Sequence, residues 1–397
     1  VHAGCRPIVV AGAGVGGLTV AAALLRRGFA VTLLERSEKI RAPGGSGLTI
    51  WGNAMTALGS IGLDGKLRER GAMLERQLTV TASGTTLLDL PVGRIQRRTG
   101  LVGVGVRRHD LLESLLAATH GAEILYGEEV SGVRTEGELA VTTLGGREIA
   151  CEVLIGADGL RSSVREALLG DGPPSPLRHM VWRGVSEGAA AFPAETSLMV
   201  YGPRAVRMIG WPVGEGRVCW SIGRNGAPTR ERREPSLVKR ELQQAVATFP
   251  QACRDVLAAT PAERIIHTDL FARSQVECLA RGPIALLGDA GHAMPTVFGQ
   301  GAAMAIEDAV ILADCLDRNR SHMPTGLEEY EQIRLPRLLT VRGHVSRVSR
   351  LQEWRSPVSL AARNAFMRLL PESVSERMWT ELMTFASRSD PTRVDAR

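Results

Sequence analysis

Lysine is almost missing from this 397-residue chain: Lys39, Lys66 and Lys239 are the only ones among 48 basic residues. The excess of basic over acidic residues therefore rests on arginine, and the formal net charge is +6. The arginines are scattered or interleaved with acids, as in Arg230-Glu231-Arg232-Arg233-Glu234. That pattern reads as a solvated helix face and excludes a continuous phosphate-binding stripe. Aromatic residues are also scarce, at 4%, too few to build stacking platforms for single-stranded nucleic acid. The six cysteines form no C-x-x-C pair and show no other metal-ligand spacing, so no metal site is expected. They read as reduced thiols of a cytoplasmic protein. No uninterrupted apolar run is long enough to span a bilayer. The stretch Ile8 to Leu25 comes nearest, but Gly12, Gly14, Gly16 and Gly17 break it. Nucleic acid and membrane are accordingly not expected as partners.

What is present is a run of strand–turn–helix signatures. Pro7 to Ala11 is short, apolar and rich in Val and Ile, as in a buried parallel strand. Leu18 to Arg27 has the pattern of a helix closed by Gly28, and Phe29 to Glu35 that of a second strand. Between strand and helix lies Gly12-Ala13-Gly14-Val15-Gly16-Gly17, a G-x-G-x-x-G. Gly12 permits the tight turn, Gly14 lets the backbone approach a pyrophosphate, and Gly17 lets the helix pack closely. The helix N-terminus offers free N–H groups to the anion. Glu35, at the end of the second strand, is placed to accept hydrogen bonds from a ribose and would repel a 2′-phosphate. FAD or NAD is thus favoured over NADP at this turn. Asp158, in Gly156-Ala157-Asp158-Gly159, and Asp289, in Gly288-Asp289-Ala290-Gly291-His292, each follow a short apolar strand. Ligands of open α/β sheets bind at such strand ends. Gly299-Gln300-Gly301-Ala302 then opens a helix whose N-terminal amides favour negative charge.

Elsewhere, Glu123 to Ile149 reads as three alternating segments, an antiparallel meander. Pro173, Pro174 and Pro176 read as a linker, and Leu237 to Ala259 as one helix. Strands are expected at Val181–Val185, Leu198–Tyr201, Val206–Trp211 and Val218–Ile222, and the chain beyond Leu327 is expected to be mostly helical. The fold class that follows is α/β: a Rossmann-like domain binding FAD or NAD, an inserted mixed β-sheet substrate domain and C-terminal helices. The boundaries expected are 1–75, 101–172 and 281–340 for the nucleotide domain, 76–100 and 173–280 for the substrate domain, and 341–397 for the C-terminal helices.

Taken in order, these motifs resemble those of the single-component FAD-dependent aromatic hydroxylases related to para-hydroxybenzoate and salicylate hydroxylases. The resemblance extends over most of the chain, through Glu35-Arg36, Gly47-Leu48-Thr49-Ile50, Arg108, Trp182-Arg183-Gly184-Val185, and Tyr330-Glu331 with Arg334 and Arg337. It implies a bound FAD, transient NADH or NADPH, and hydroxylation of an electron-rich aromatic or polyketide-like molecule by O2 through a C4a-hydroperoxyflavin. Epoxidation, oxidative decarboxylation, a flavin oxidoreductase without oxygenation and a non-catalytic FAD-binding protein stay open as alternatives, and so do a monomer and a homodimer. The resemblance gives Glu35 the adenosine ribose, Arg108 the pyrophosphate region, Asp289 the ribityl chain, and Asp158 both FAD and the nicotinamide cofactor. Gly12, Gly14, Gly17, Arg36, Gly299, Gly301 and Ala302 complete the expected cofactor contacts. Where the family usually has proline beside the flavin this chain has Thr296, preceded by Pro295. No protein side chain is expected to act as a nucleophile or in a triad. His292 reads as structural. Trp182, Met199, Tyr201, Met208, Trp211 and Trp220 are candidates for the substrate pocket.

Overall fold

A computed structural model describes residues 6–40, 46–188, 191–226, 233–273, 277–295, 297–354 and 356–385. Its first element is the strand Ile8–Ala11, all four residues buried. Three β-branched side chains in a row suit a strand covered on both faces. This strand pairs in parallel with Val153–Gly156 on one side and Val31–Glu35 on the other. Ile284–Leu286 and Glu123–Tyr126 extend the sheet in parallel, and Ala280–Arg281 closes one edge antiparallel. The resulting order, six strands with Ile8–Ala11 fourth and Val31–Glu35 fifth, is a doubly wound sheet. Helices Val15–Arg26 and Gln300–Arg318 pack together against it around Leu18, Leu33, Ile155 and Ile306.

The second domain is a seven-stranded mixed sheet built from Arg76–Thr81 and Thr86–Leu90 together with strands between Ser175 and Ala272. Arg76–Thr81 runs parallel to Thr196–Tyr201, while the other pairings are antiparallel. One face of this sheet is covered by helices Pro235–Ala245 and Gln251–Ala258, around Trp220, Met208, Leu242 and Phe249. The opposite face turns toward the nucleotide domain, where Trp211, Val185 and Cys219 meet Trp51 and Trp379. Helix Met323–Gln352 accommodates Pro336 and is followed by helices Pro357–Leu369 and Glu372–Met383.

The structure departs from the sequence reading in three places. Glu123–Tyr126 is a strand of the parallel sheet, and only Val130–Arg134, Ala140–Thr143 and Glu148–Ala150 form an antiparallel unit. Pro250 splits the helix expected over 237–259, since its ring cannot continue the upstream turn. Pro176 belongs to the strand Ser175–Ser186, at an irregularity where its missing N–H is tolerated. No helix among the described residues is long and apolar enough to cross a membrane.

Candidate active site

The C-terminal ends of Ile8–Ala11, Val31–Glu35 and Val153–Gly156 meet at a cleft of about 330 Å³. Gly12, Gly14, Glu35, Arg36, Arg108 and Asp158 all line it. Gly12 has φ +97°, and a Cβ there would lie 2.5 Å from the carbonyl oxygen of Ala157. A Cβ on Gly17 would lie 1.8 Å from the carbonyl oxygen of Gly12. Gly14 differs: apart from its chain neighbours, no atom of the described residues lies within 4 Å of the position its Cβ would take. Two of these glycines therefore serve the turn itself, while the third keeps the cleft open.

Glu35 ties the turn to the second strand. Its carboxylate accepts from the backbone N–H of Ala13 at 3.0 Å and of Ser37 at 2.9 Å. Asp158 uses one oxygen to accept from the N–H groups of Ser163 and Val164, at the start of helix Ser163–Leu169. Its other oxygen is enclosed and has no partner. Burial pushes this carboxyl above its ordinary range, and hydrogen bonds from Ser162, Val164 and Ser163 offset part of that shift. Arg108 opens helix Arg108–Ala118, and its Nε is likewise enclosed and unpartnered. Burial lowers the affinity of this guanidinium for its proton, and the charge of Asp289 works against that shift. Asp289 is exposed at the first turn of Asp289–His292, after Gly288 at φ +58°.

These features fit an adenine dinucleotide. The open space over Gly14, a strand-end carboxylate, and an enclosed donor and acceptor left unpaired are what a diphosphate and its riboses would satisfy. Glu35→Ala is expected to weaken FAD by about 1–3 kcal/mol, the usual scale for a charge-assisted hydrogen bond. Flavin titration of refolded apoprotein measures this, with a thermal melt to register any loosening from the freed Ala13 amide. Unchanged affinity would remove Glu35 from the site.

Farther along, Phe298 and Gly299 take consecutive left-handed conformations, φ +60° and +66°, ahead of helix Gln300–Arg318. Such geometry is strained for phenylalanine. The Phe298 carbonyl accepts from Trp51 Nε1 at 3.0 Å, which holds the bend. Gln300 is buried, but Gly301 and Ala302 are only partly covered, so the first-turn amides border open space. Pro295 is half-buried just upstream, and Thr296 lies outside the described residues.

Behind this helix end lies a set of buried charges that sequence reasoning did not assemble. Arg334 bridges Glu307 at 2.5 Å and Asp308 at 2.7 Å, all three fully buried. Asp308 also accepts from the Gly288 amide at 3.0 Å and contacts His292 Nε2 at 2.5 Å. Asn53 donates to Glu307 and to Gln300. Burial alone would raise the Asp308 carboxyl, but His292, Arg334 and the Gly288 amide hold it down at about 2. His292 is thus fixed inside the protein rather than presented to a substrate. Arg334 stood among the motif residues, yet charged positions on two helices do not reveal that they face one another.

The six pocket candidates divide between the two faces of the mixed sheet. Trp182, Met208 and Trp220 are buried under the helices, away from the nucleotide domain. Trp220 Nε1 donates to Thr260 Oγ1 at 2.8 Å, and Trp182 stacks on His267. Met199, Tyr201 and Trp211 alternate with Leu198, Val200 and Met208 of that core and so occupy the opposite face. Arg183 and Arg207, not singled out as pocket candidates, share that face because they alternate with Trp182 and Met208.

Residues 6–342 match the family model of the FAD binding domain. The chain is 32% identical over 390 residues to the 2-heptyl-3-hydroxy-4(1H)-quinolone synthase of Pseudomonas aeruginosa, covering 95% of this chain and 97% of that protein. It is 29% identical over 364 residues to the aurachin C monooxygenase/isomerase of Stigmatella aurantiaca, covering 91% of this chain and 94% of that one. Its fold resembles the crystal structure of Klebsiella pneumoniae HpxO complexed with FAD and uric acid, with a TM-score of 0.85 at 23% identity. That likeness covers 95% of this chain and 97% of the other.

Proposed function

The chain belongs to the FAD-dependent aromatic hydroxylase and monooxygenase family, and on that premise we propose that it hydroxylates an electron-rich aromatic or polyketide-like small molecule. One atom of O2 enters the substrate, the other leaves as water, and NADH or NADPH supplies the two electrons. The bound FAD supplies the redox chemistry that activates oxygen. The residues of this chain supply binding, charge and exclusion of water.

The observation that carries the reading is the conjunction of two surfaces. The dinucleotide cleft opens at the strand ends of one domain, and the half-polar face of a second sheet turns toward that domain. A substrate held on that face would lie under cover, with Met199, Tyr201 and Trp211 along one side. The Gln300–Arg318 helix end would present amide donors to negative charge accumulating on the reduced cofactor. Asp289 would hold the ribityl chain, and Arg108 would balance the diphosphate. The five described cysteines form no disulfide, which supports a cytoplasmic setting.

Asp289→Ala is expected to lower FAD affinity and, in FAD-saturated enzyme, to slow cofactor reduction or divert oxygen to peroxide. Rapid-mixing kinetics with product and peroxide both measured would show this. A wild-type reduction rate and wild-type coupling in the saturated variant would remove Asp289 from the mechanism. The proposed activity itself is tested by a substrate screen that follows NAD(P)H oxidation together with product mass. A gain of one oxygen atom coupled to substrate-stimulated oxidation supports hydroxylation. NAD(P)H consumption that no substrate alters, with all oxygen released as peroxide, contradicts it.

A further inference from the structure

Five arginines are buried among the described residues: Arg165, Arg273, Arg334, Arg337 and Arg363. Four of them meet a carboxylate. Arg165 and Arg273 reach Asp171, Arg334 reaches Glu307 and Asp308, and Arg337 reaches Glu307. Arg363 is the exception. It is 3% exposed, and among the described residues no carboxylate lies within ion-pair distance of it. Its Nε and Nη2 both donate to the side-chain oxygen of Asn364, at 3.2 and 2.9 Å. Its guanidinium lies over the ring of Tyr201, 4.1 Å from the centroid. A ring face and an amide oxygen orient the cation but carry no opposite charge. Burial lowers the proton affinity of this group, and Tyr201 opposes the shift. A buried cation with no anion beside it is costly to the fold, and a bound anion would offset that cost.

Arg363 lines a cleft of about 370 Å³ between helix Pro357–Leu369 and the edge of the substrate sheet. Leu360, Arg363 and Asn364 are three and four positions apart, so one face of the helix brings all three to it. Residues 81–83, at the end of strand Arg76–Thr81, and residues 201–203, at the end of Thr196–Tyr201, form the facing wall with Thr248. No acidic residue lines the cleft. Among the described residues Arg363 Nη1 has no hydrogen-bond partner, and neither does the amide nitrogen of Asn364. Neither nitrogen is sealed inside the protein, so the cleft is the space open to both. The wall opposite is fixed in shape. A Cβ on Gly202 would lie 2.3 Å from the ring of Phe249, and Arg204 and Ala205 take consecutive left-handed conformations, φ +53° and +58°.

We propose that this cleft binds a small organic oxyanion, a carboxylate or a phosphate monoester, at a site separate from the dinucleotide cleft. Arg363 Nη1 and the Asn364 amide donate to the anion, and the hydroxyls of Ser83 and Thr248 stand at its rim. Leu360, Ala82 and Pro203 receive the apolar body of the ligand. The volume lies in the range of small-molecule pockets, which begins at about 300 Å³, so a one-ring ligand fits it better than a bare ion. The two clefts share no lining residue. A ligand here touches the C-terminal helix and the sheet together. It thereby ties helix Pro357–Leu369 to Tyr201, whose hydroxyl already accepts from Gln352 Nε2 at 3.2 Å.

The probes are phenyl phosphate, benzoate and the neutral benzamide, each titrated calorimetrically into FAD-loaded enzyme at fixed ionic strength while the flavin absorbance is followed. At least one anion is expected to bind on the order of 10- to 100-fold more tightly than benzamide, the usual worth of a charge-assisted contact. The tighter of the two anions tells a phosphate ester from a carboxylate. Arg363→Met should erase the preference for the anion. Thr248→Glu, at an exposed position on the rim, should erase it by repulsion and carries the test if Arg363→Met does not fold. The flavin absorbance should stay flat across the calorimetric transition. Wild-type enzyme that binds all three probes alike, or none of them, overturns the proposal. Wild-type anion affinity in Thr248→Glu or in folded Arg363→Met overturns it too, whatever happens to the melting temperature. A heat curve that coincides with a change in flavin absorbance puts the anion at the cofactor and has the same consequence.

Discussion

Gly14→Val should give a folded, colourless protein. The backbone at Gly14 is φ −77° and ψ −171°, which valine adopts without strain. Apart from the chain neighbours, no atom of the described residues stands within 4 Å of the new Cβ, and Gly14 lines the cleft, so the isopropyl group enters it. That space is where the diphosphate has to approach the backbone, and FAD affinity should fall by more than about 100-fold. The melting temperature without cofactor should stay near wild type. Gly17→Val is the contrasting control, because its Cβ would strike the Gly12 carbonyl at 1.8 Å and unsettle the turn itself. Flavin absorbance per mole of protein, alongside a thermal melt, separates the two. A Gly14→Val protein that purifies with full flavin occupancy would refute the placement of the cofactor.

Arg334→Met should cost stability on a scale of about 3–5 kcal/mol, because Glu307 and Asp308 would remain buried without their cation. The loss should depend on pH in a defined sense. Asp308 is held at about 2 in the folded protein, below its unfolded value near 3.9. Its ionised form therefore stabilises the fold above about pH 4, and that contribution disappears as pH falls toward 2. Without Arg334 its carboxyl should protonate at higher pH, so the difference between wild type and variant should narrow as the solution is acidified. Urea unfolding at several pH values measures both effects. A penalty below about 1 kcal/mol that does not vary with pH would mean that the buried charges are balanced in some other way. The same network reaches Gly288 through its amide, so the variant should also bind FAD less firmly.

Local chemistry explains what was legible before the structure. A glycine turn after a β-branched run, and an acid at the end of the next strand, depend on neighbours within a few dozen residues. The cleft accordingly brings together Gly12, Gly14, Glu35 and Asp158, with Arg108, to which only the family resemblance pointed. Parity along a strand places Met208 and Trp211 on opposite faces, although the sequence reading took both as pocket candidates. Which face turns toward the cofactor was not legible, because it depends on the helices Pro235–Ala245 and Gln251–Ala258 covering the other one. Trp182, Met208 and Trp220 were grouped with Tyr201 for that reason. Glu123–Tyr126 was equally ambiguous: alternation marks a strand but does not choose its partner, and here that partner is Val31–Glu35.

The most direct test of the central claim is oxygen bookkeeping with heavy-isotope dioxygen. FAD-loaded enzyme, NADH or NADPH, and a ring found to stimulate NAD(P)H oxidation would be incubated under the labelled gas and the product weighed by mass spectrometry. The account expects one labelled atom in each product molecule and one NAD(P)H oxidised for each atom transferred. Product oxygen drawn from water, or cofactor oxidation that ends wholly in peroxide with every substrate, would contradict it.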